Sequence, residues 1–333
     1  MDELIFFINK VVVSGLVTGC VYSLGAIGIT LIFGTMRFAN FAHGDMMTLG
    51  AFFSFILAGM LSAMGIVLPI PLGIAVMPIA MVLTAVIALG IERTFYAPLR
   101  DRGAKPVTML IASIGVTLMI QGIVRLIFGS ETRDFFGGTE VKEIFRIPGE
   151  IIGGSRPIVL TEPQVLMFAL TAIAMLAVHF FLSRTRFGKA MRAMADNADL
   201  AQVSGINTKM VITYTWLIGG ALAGMAGTML ALDVNLRPDL AFNIILPIVA
   251  AAVVGGLGSA YGAIVGGMLI GFTEALAVFN WTAVLRPLQP MLPFELPANI
   301  AVVPTEYKLT VAFVILVVTL LARPTGIFKG AST

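Results

Sequence analysis

Charge is what this chain has least of. Only 12% of its 333 residues are Asp, Glu, Lys or Arg, against roughly 25% in soluble domains. Hydrophobic residues make up 58%, and the mean hydropathy is +0.99. So little polar surface cannot face water all round, and the natural solvent for such a chain is lipid. The formal net charge of +3 is therefore no nucleic-acid signal; what matters is where the charges sit. Cysteine is nearly absent too. Cys20 is alone, which rules out an internal disulfide and a Cys-rich metal site, and it reads as a small packing residue. There are two histidines, His43 and His179, and His43 has no ligand cluster beside it. No phosphate-cradling loop followed by Lys and Ser or Thr occurs, nor a Ser/His/Asp set, paired metal ligands or a haem site. These absences argue against an enzyme and against nucleotide hydrolysis by this chain. The start, Met1-Asp2-Glu3-Leu4, lacks the basic region of a cleaved signal peptide, so the first apolar segment is expected to stay as a helix.

What is present is apolar length. About 20 mainly apolar residues cross a bilayer as a helix. Residues 11–33, 46–64, 66–90, 107–128, 164–183, 211–232 and 308–322 qualify. The 243–279 stretch is too long for one span and is cut by Gly255-Gly256-Leu257-Gly258-Ser259, so it reads as two helices joined by a tight turn. The first of these is short, carries Pro247, and is read as a candidate re-entrant segment entering only part of the membrane. The expected fold is an all-α polytopic membrane helix bundle of about nine transmembrane helices, a single transmembrane domain over 1–333.

Basic residues give the orientation. The 184–210 loop holds Arg184, Arg186, Lys189, Arg192 and Lys209, and the 91–106 loop holds Arg93, Arg100, Arg102 and Lys105; both read as cytoplasmic. In the 129–163 loop, Glu131, Asp134, Glu140, Glu143, Glu150 and Glu162 outnumber Arg133, Lys142, Arg146 and Arg156, so it reads as external. With Arg323 and Lys329 marking a cytoplasmic C-terminus, nine spans put the N-terminus outside.

Small residues recur every four positions: Gly15, Gly19, Ser23; Gly220, Gly224, Thr228; Gly258, Gly262, Gly266. Each set lies on one helix face, where it allows close packing or sliding during transport. Asn40-Phe41-Ala42-His43-Gly44-Asp45 reads either as a loop capping the next helix or as a re-entrant turn lining a pathway. Asn40, His43 and Gln121 are placed near a translocation route. Glu274 lies within a span, where a carboxylate usually faces the bundle interior or water. It is expected to make a structural pair, with Arg125 and Gln121 as candidates, or to touch a polar substrate or gate.

The 184–210 loop has two helix-forming pieces. Arg186 to Ala195 carries apolar and basic residues at helical spacing, Asp196-Asn197-Ala198-Asp199 is a cap region, and Leu200 to Ile206 stops at Gly205. It reads as a solvated cytoplasmic loop or as a helix docking on another protein.

Asn40-Phe41-Ala42-His43-Gly44-Asp45, Glu92-Arg93, Tyr96 with Pro98-Leu99-Arg100, the 186–206 loop, Gly255-Gly256-Leu257-Gly258-Ser259 and Arg323-Pro324-Thr325-Gly326-Ile327 together resemble the branched-chain amino acid ABC importer permeases, most closely the first of their two paralogous permeases. The resemblance runs along nearly the whole chain. It implies a pore formed with a second paralogous permease subunit, two cytoplasmic ATPases that bind ATP and Mg, a periplasmic or extracellular substrate-binding protein, and a bacterial inner membrane; it implies no cofactor in this chain and no nucleic acid. It makes the 184–210 loop the ATPase-coupling element, with Arg186, Gly188, Arg192, Ala198, Asp199, Ala201, Gly205 and Ile206 as its residues. Asp199 departs from the family's commoner glutamate pattern, and the loop with Pro287, Pro290, Pro293, Pro297 and Pro304 is longer than usual there. Permeases for urea, short amides or aromatic acids share these motifs, and a stand-alone secondary transporter is a further alternative.

Overall fold

The computed structural model describes residues 2–136, 143–148, 157–286, 289, 295, 297 and 299–328. In chain order the elements are α1 (Asp2–Met36), α2 (Ala42–Ala63), α3 (Leu72–Asp101) and α4 (Pro106–Phe128), then an antiparallel pair, β1 (Glu143–Ile147) and β2 (Ile158–Thr161), then α5 (Glu162–Arg184). Two short helices follow, α6 (Arg186–Asp196) and α7 (Ala198–Val203), before the long α8 (Thr208–Asp233). After them come α9 (Ile245–Gly255), α10 (Ala260–Ala277), the single turn α11 (Thr282–Leu285) and α12 (Thr305–Ala322). Among the described residues eight helices are long and apolar enough to cross a membrane: α1 to α5, α8, α10 and α12. The all-α polytopic bundle expected from the sequence is the fold. Glu140, Lys142, Glu150, Arg156, Pro287, Pro290, Pro293 and Lys329 lie outside the described residues.

Side-chain oxygens set several helix starts by taking up N–H groups that have no partner in the first turn. Gln164 Oε1 accepts from the Thr161 N–H at 3.2 Å ahead of α5, Asn207 Oδ1 from Met210 at 3.0 Å in α8, and Ser259 Oγ from Gly262 at 3.1 Å in α10. The small-residue ridges are helix crossings. Gly15 and Gly19 of α1 lie against Phe272 and Met268 of α10, and a methyl group on Gly271 would strike the Gly19 backbone. Gly220 and Gly224 of α8 rest on Thr84 and its neighbours in α3, while Gly262 and Gly266 of α10 rest on Gly255 and Ala251 of α9. Lipid exerts no hydrophobic push between helices, so close backbone approach of this kind supplies the attraction. α8 sits at the centre, with Trp216, Ala223, Ala226 and Met229 fully buried; α12 lies outermost, with Val314, Val318 and Leu321 exposed.

The connection from α8 to α10 is unusual. α9 has 11 residues, about 16 Å of rise where the hydrocarbon core is about 30 Å. The rest of this pass is the non-helical run 234–244. Leu236 and Ala241 in it are fully buried, and the Ala241 N–H donates to Thr48 Oγ1 of α2 at 3.1 Å. Irregular backbone at membrane depth is tolerated where protein or a water-filled cavity covers it. The sequence pointed to 40–45 as a candidate for such backbone as well. There the structure has an ordinary short turn, with Asn40 Oδ1 accepting from the Ala42 N–H at 3.2 Å and α2 starting at once.

Contacts between loops sort them onto two ends of the bundle. At one end, Arg37 donates to the Ala195 carbonyl, Tyr96 Oη donates to Asn40 Oδ1 at 3.0 Å, and Ile327 and Phe328 N–H groups donate to the Val254 and Gly255 carbonyls at 2.9 and 3.0 Å. At the other end, the Asn9 amide donates to the Pro157 carbonyl at 3.1 Å, Arg133 and Leu236 exchange backbone hydrogen bonds, and Phe55 packs on Phe135. The beginning of α1 and the 323–328 tail are therefore at opposite ends, which requires an odd number of passes. Among the described residues the half-helical 234–255 run makes a ninth pass beside the eight long helices.

Candidate functional site

At the end that holds the start of α1, a cavity of about 570 Å³ runs into the bundle. One wall is α1, where Ser14, Thr18 and Tyr22 recur every four residues and so face the same way. They follow the wall inward for about 12 Å of helix rise. Leu230 and Asp233 of α8, Asn235, Arg237, Leu240, Asn243 and Ile244 of the irregular run, and Lys308 of α12 close the other sides. Val17 and Val21 add apolar surface next to the polar row of α1. The lining thus mixes full charges, neutral polar groups and aliphatic side chains, which suits a small ligand that is both polar and apolar.

Glu274 stands behind this wall. Its side chain is fully buried, Tyr22 Oη donates to Oε2 at 3.0 Å, and Lys308 Nζ lies 3.3 Å from the same oxygen. The partners are Tyr22 and Lys308 rather than Arg125 and Gln121. Those two lie on α4 near the buried Asp45 of α2, whose carboxylate oxygens have no hydrogen-bond partner among the described residues. The four pathway residues expected from the sequence do not converge. Glu274 reaches the cavity through Tyr22 and Lys308; Asn40, His43 and Gln121 are not part of its lining. Asn40 is held under Tyr96, which stacks on Trp216 with ring centroids 5.1 Å apart. His43 is fully buried against Gly28 of α1, its ring nitrogens without hydrogen-bond partners, and Gln121 is buried on the inner face of α4.

The cavity's own charges, Asp233, Arg237 and Lys308, were not singled out from the sequence. Lys308 was absorbed into an apolar span, and 233–243 into the space between two spans. A signal was there: the Ser14, Thr18, Tyr22 row is a polar stripe on an otherwise apolar helix, flanking the Gly15, Gly19, Ser23 ridge.

At the opposite end, α6 and α7 form a compact pair. Thr185 Oγ1 accepts from the Gly188 N–H at 2.9 Å, and Gly188 fits against Leu182 where a side chain would collide with the α5 backbone. Asn197 Oδ1 accepts from Leu200 at 2.9 Å and starts α7. Gly205, at φ +85°, ends it: its N–H donates to the Gln202 carbonyl and that of Ile206 to Ala201, both at 3.0 Å. This pairing caps the carbonyls left over at a helix end. Arg186, Arg192, Ala198 and Asp199 are exposed. Ala201 is only 4% exposed and packs inward; the outward side chains of α7 are Leu200 and Val203, 64% and 86% exposed. A groove of about 630 Å³ separates α7 from α3, lined by Ala198, Asp199 and Gln202 on one side and Arg93, Arg100 and Asp101 on the other.

The family described as branched-chain amino acid transport system / permease component matches residues 11–320. The chain is 31% identical over 333 residues to the high-affinity branched-chain amino acid transport system permease protein BraD of Pseudomonas aeruginosa, covering 98% of this chain and 97% of the relative. It is 33% identical over 330 residues to the corresponding protein LivH of Escherichia coli, covering 98% and 96%. A probable branched-chain amino acid transport permease protein of Methanocaldococcus jannaschii is 30% identical over 254 residues, 76% of each chain. No solved structure matches at a significant level.

Proposed function

We propose, from the premise that the chain belongs to the family of branched-chain amino acid transport permease components, that it is the membrane subunit of an ATP-driven importer and carries branched-chain amino acids through the cavity beside Tyr22, Asp233 and Lys308. The observation that carries this reading is the match along nearly the whole length to permeases so named, on a bundle whose charged cavity opens between membrane-spanning helices. The relatives matched along nearly their whole length are named for branched-chain amino acids, which favours that substrate class over urea, short amides or aromatic acids.

The chain has no phosphate-cradling loop, so the energy comes from partners: two cytoplasmic ATPases that bind ATP and Mg. A second, paralogous permease completes the pore, and an external binding protein delivers substrate. The end with Arg93, Arg100, Arg186 and Arg192 is cytoplasmic by the positive-inside rule, which puts the cavity mouth and the start of α1 outside and the 323–328 tail inside. The α6–α7 pair is the coupling element, and its exposed Leu200 and Val203 supply the apolar contact.

The test is uptake of labelled L-leucine by the complete importer in proteoliposomes. Uptake that requires ATP on the cytoplasmic side and the binding protein on the other supports the reading. Uptake by this chain alone, driven by an ion gradient and indifferent to ATP, would make it a secondary transporter.

A further inference from the structure

Resting on that reading, we infer that the cavity is itself a recognition site for the zwitterionic end of an α-amino acid, with Asp233 receiving the α-ammonium group and Lys308 the α-carboxylate. The charges around the cavity are unevenly matched. Lys308 lies 3.3 Å from Glu274, and Arg237 lies 3.9 Å from Asp239. The Asp233 carboxylate, at the last residue of α8, lines the cavity exposed and without a hydrogen bond or close ion pair among the described residues, and Lys308 is the charge near enough to act on it. A carboxylate facing a cavity between membrane-spanning helices attracts a cation. A simple cation would satisfy Asp233 but leave Lys308 turned to the cavity with only one of its donors used. A simple anion would face Asp233 unpaired. A net-neutral ligand with separated charges satisfies both.

The rest of the lining agrees with that ligand. Glu274, itself fixed by the Tyr22 hydroxyl, holds Lys308 from behind, so the ammonium is positioned without being consumed: Glu274 takes one hydrogen-bonding direction and leaves the others to the cavity. Val17, Val21, Leu240 and Ile244 form the aliphatic surface that a branched side chain needs. Specificity for the amino-acid backbone thus resides in this chain as well as in whatever delivers the substrate. A deaminated or decarboxylated analogue that reached the cavity would be rejected there, since a site built for two charges is left with one unpaired.

The experiment measures binding of labelled L-leucine to the purified complete complex in nanodiscs, without binding protein, in competition with 4-methylpentanoate and 3-methylbutylamine. The wild type should bind L-leucine saturably, with each analogue competing at least about tenfold more weakly. Asp233→Asn should weaken L-leucine by about tenfold or more and bring 4-methylpentanoate level with it, a change of selectivity that general loss of structure does not produce. Asp233→Glu should restore the preference for L-leucine. Absence of saturable binding, or unchanged selectivity in Asp233→Asn, overturns the inference. ATP-dependent L-leucine uptake by the wild type is measured alongside: if it persists while the selectivity result fails, only this inference falls; if it is absent, the transport reading itself falls.

Discussion

Lys308 Nζ lies 3.3 Å from Oε2 of Glu274, a carboxylate with no exposed surface. The pair joins α12, the outermost helix, to α10. Removing only the cation strands a charge in the interior, which costs far more than removing both partners. Lys308→Met should lower the unfolding midpoint in detergent clearly, Glu274→Gln less, and the double variant should recover part of the loss. A coupling of about 1 kcal/mol or more is expected in the double-mutant cycle; strictly additive effects would mean that the two residues do not act as a pair.

Two glycines should respond to the same substitution in opposite directions. Gly59 of α2 has open space where a methyl group would go, whereas one on Gly227 of α8 would run into the Met47 backbone. Gly59→Ala removes backbone freedom from the unfolded chain and should stabilise by up to about 1 kcal/mol. Gly227→Ala forces α8 off α2 and should destabilise by about 1–3 kcal/mol. Thermal unfolding followed by size-exclusion fluorescence checks both; a loss at Gly59 equal to that at Gly227 would show that space is not what distinguishes them.

The contact proposed between α7 and an ATPase can be tested separately from the stability of α7. Val203→Asp changes an exposed side chain that holds nothing together within the chain. It should leave unfolding unchanged while reducing ATPase co-purification. Gly205→Leu acts through the backbone, because φ of +85° is strained for any side chain even though the space around it is free. It should loosen the α7 stop by about 1–2 kcal/mol and reduce stimulated ATP hydrolysis. Normal complex yield and normal stimulated hydrolysis in both variants would move the coupling role to the 92–105 segment across the groove.

Orientation is open to chemical labelling. In a Cys20→Ser background, Ser130→Cys and Ser204→Cys place single thiols at exposed positions on opposite ends of the bundle. An impermeant thiol reagent added outside intact cells should modify Ser130→Cys and spare Ser204→Cys. The reverse pattern would invert the assignment of the two faces.

Much of this architecture could be read from residue order because a bilayer leaves few choices. Length and apolarity select helices, and four-residue spacing of glycine selects crossings: Gly15 and Gly19 do meet α10. The α7 stop at Gly205 was equally legible, since only glycine takes that conformation without strain. The cavity was not. Its residues come from α1, α8, the 234–244 run and α12, and no spacing rule connects segments so far apart in the chain. Lys308 looks like the edge of an apolar run until Glu274 is seen beside it. Conversely, Asn40 and His43 drew notice as polar residues among glycines, yet Asn40 is occupied in fixing the α1–α2 turn. Inward-facing Ala201 shows the same limit: a short helix declares its small residues in sequence but not which side is turned away.

The 234–255 pass also bears on how the protein is made. A segment released sideways from a translocon must bring its backbone hydrogen bonds with it, and this one brings only the α9 half. The other half needs Thr48 and the Arg133 backbone in position to receive Ala241 and Leu236. The helix that follows it, α10, packs on α1 through Gly19 and Gly271. A chain in which this run is unseated exposes unpaired backbone groups among its helices, so substitutions that weaken the α1–α10 crossing should shorten the lifetime of newly made chains in a pulse-chase measurement.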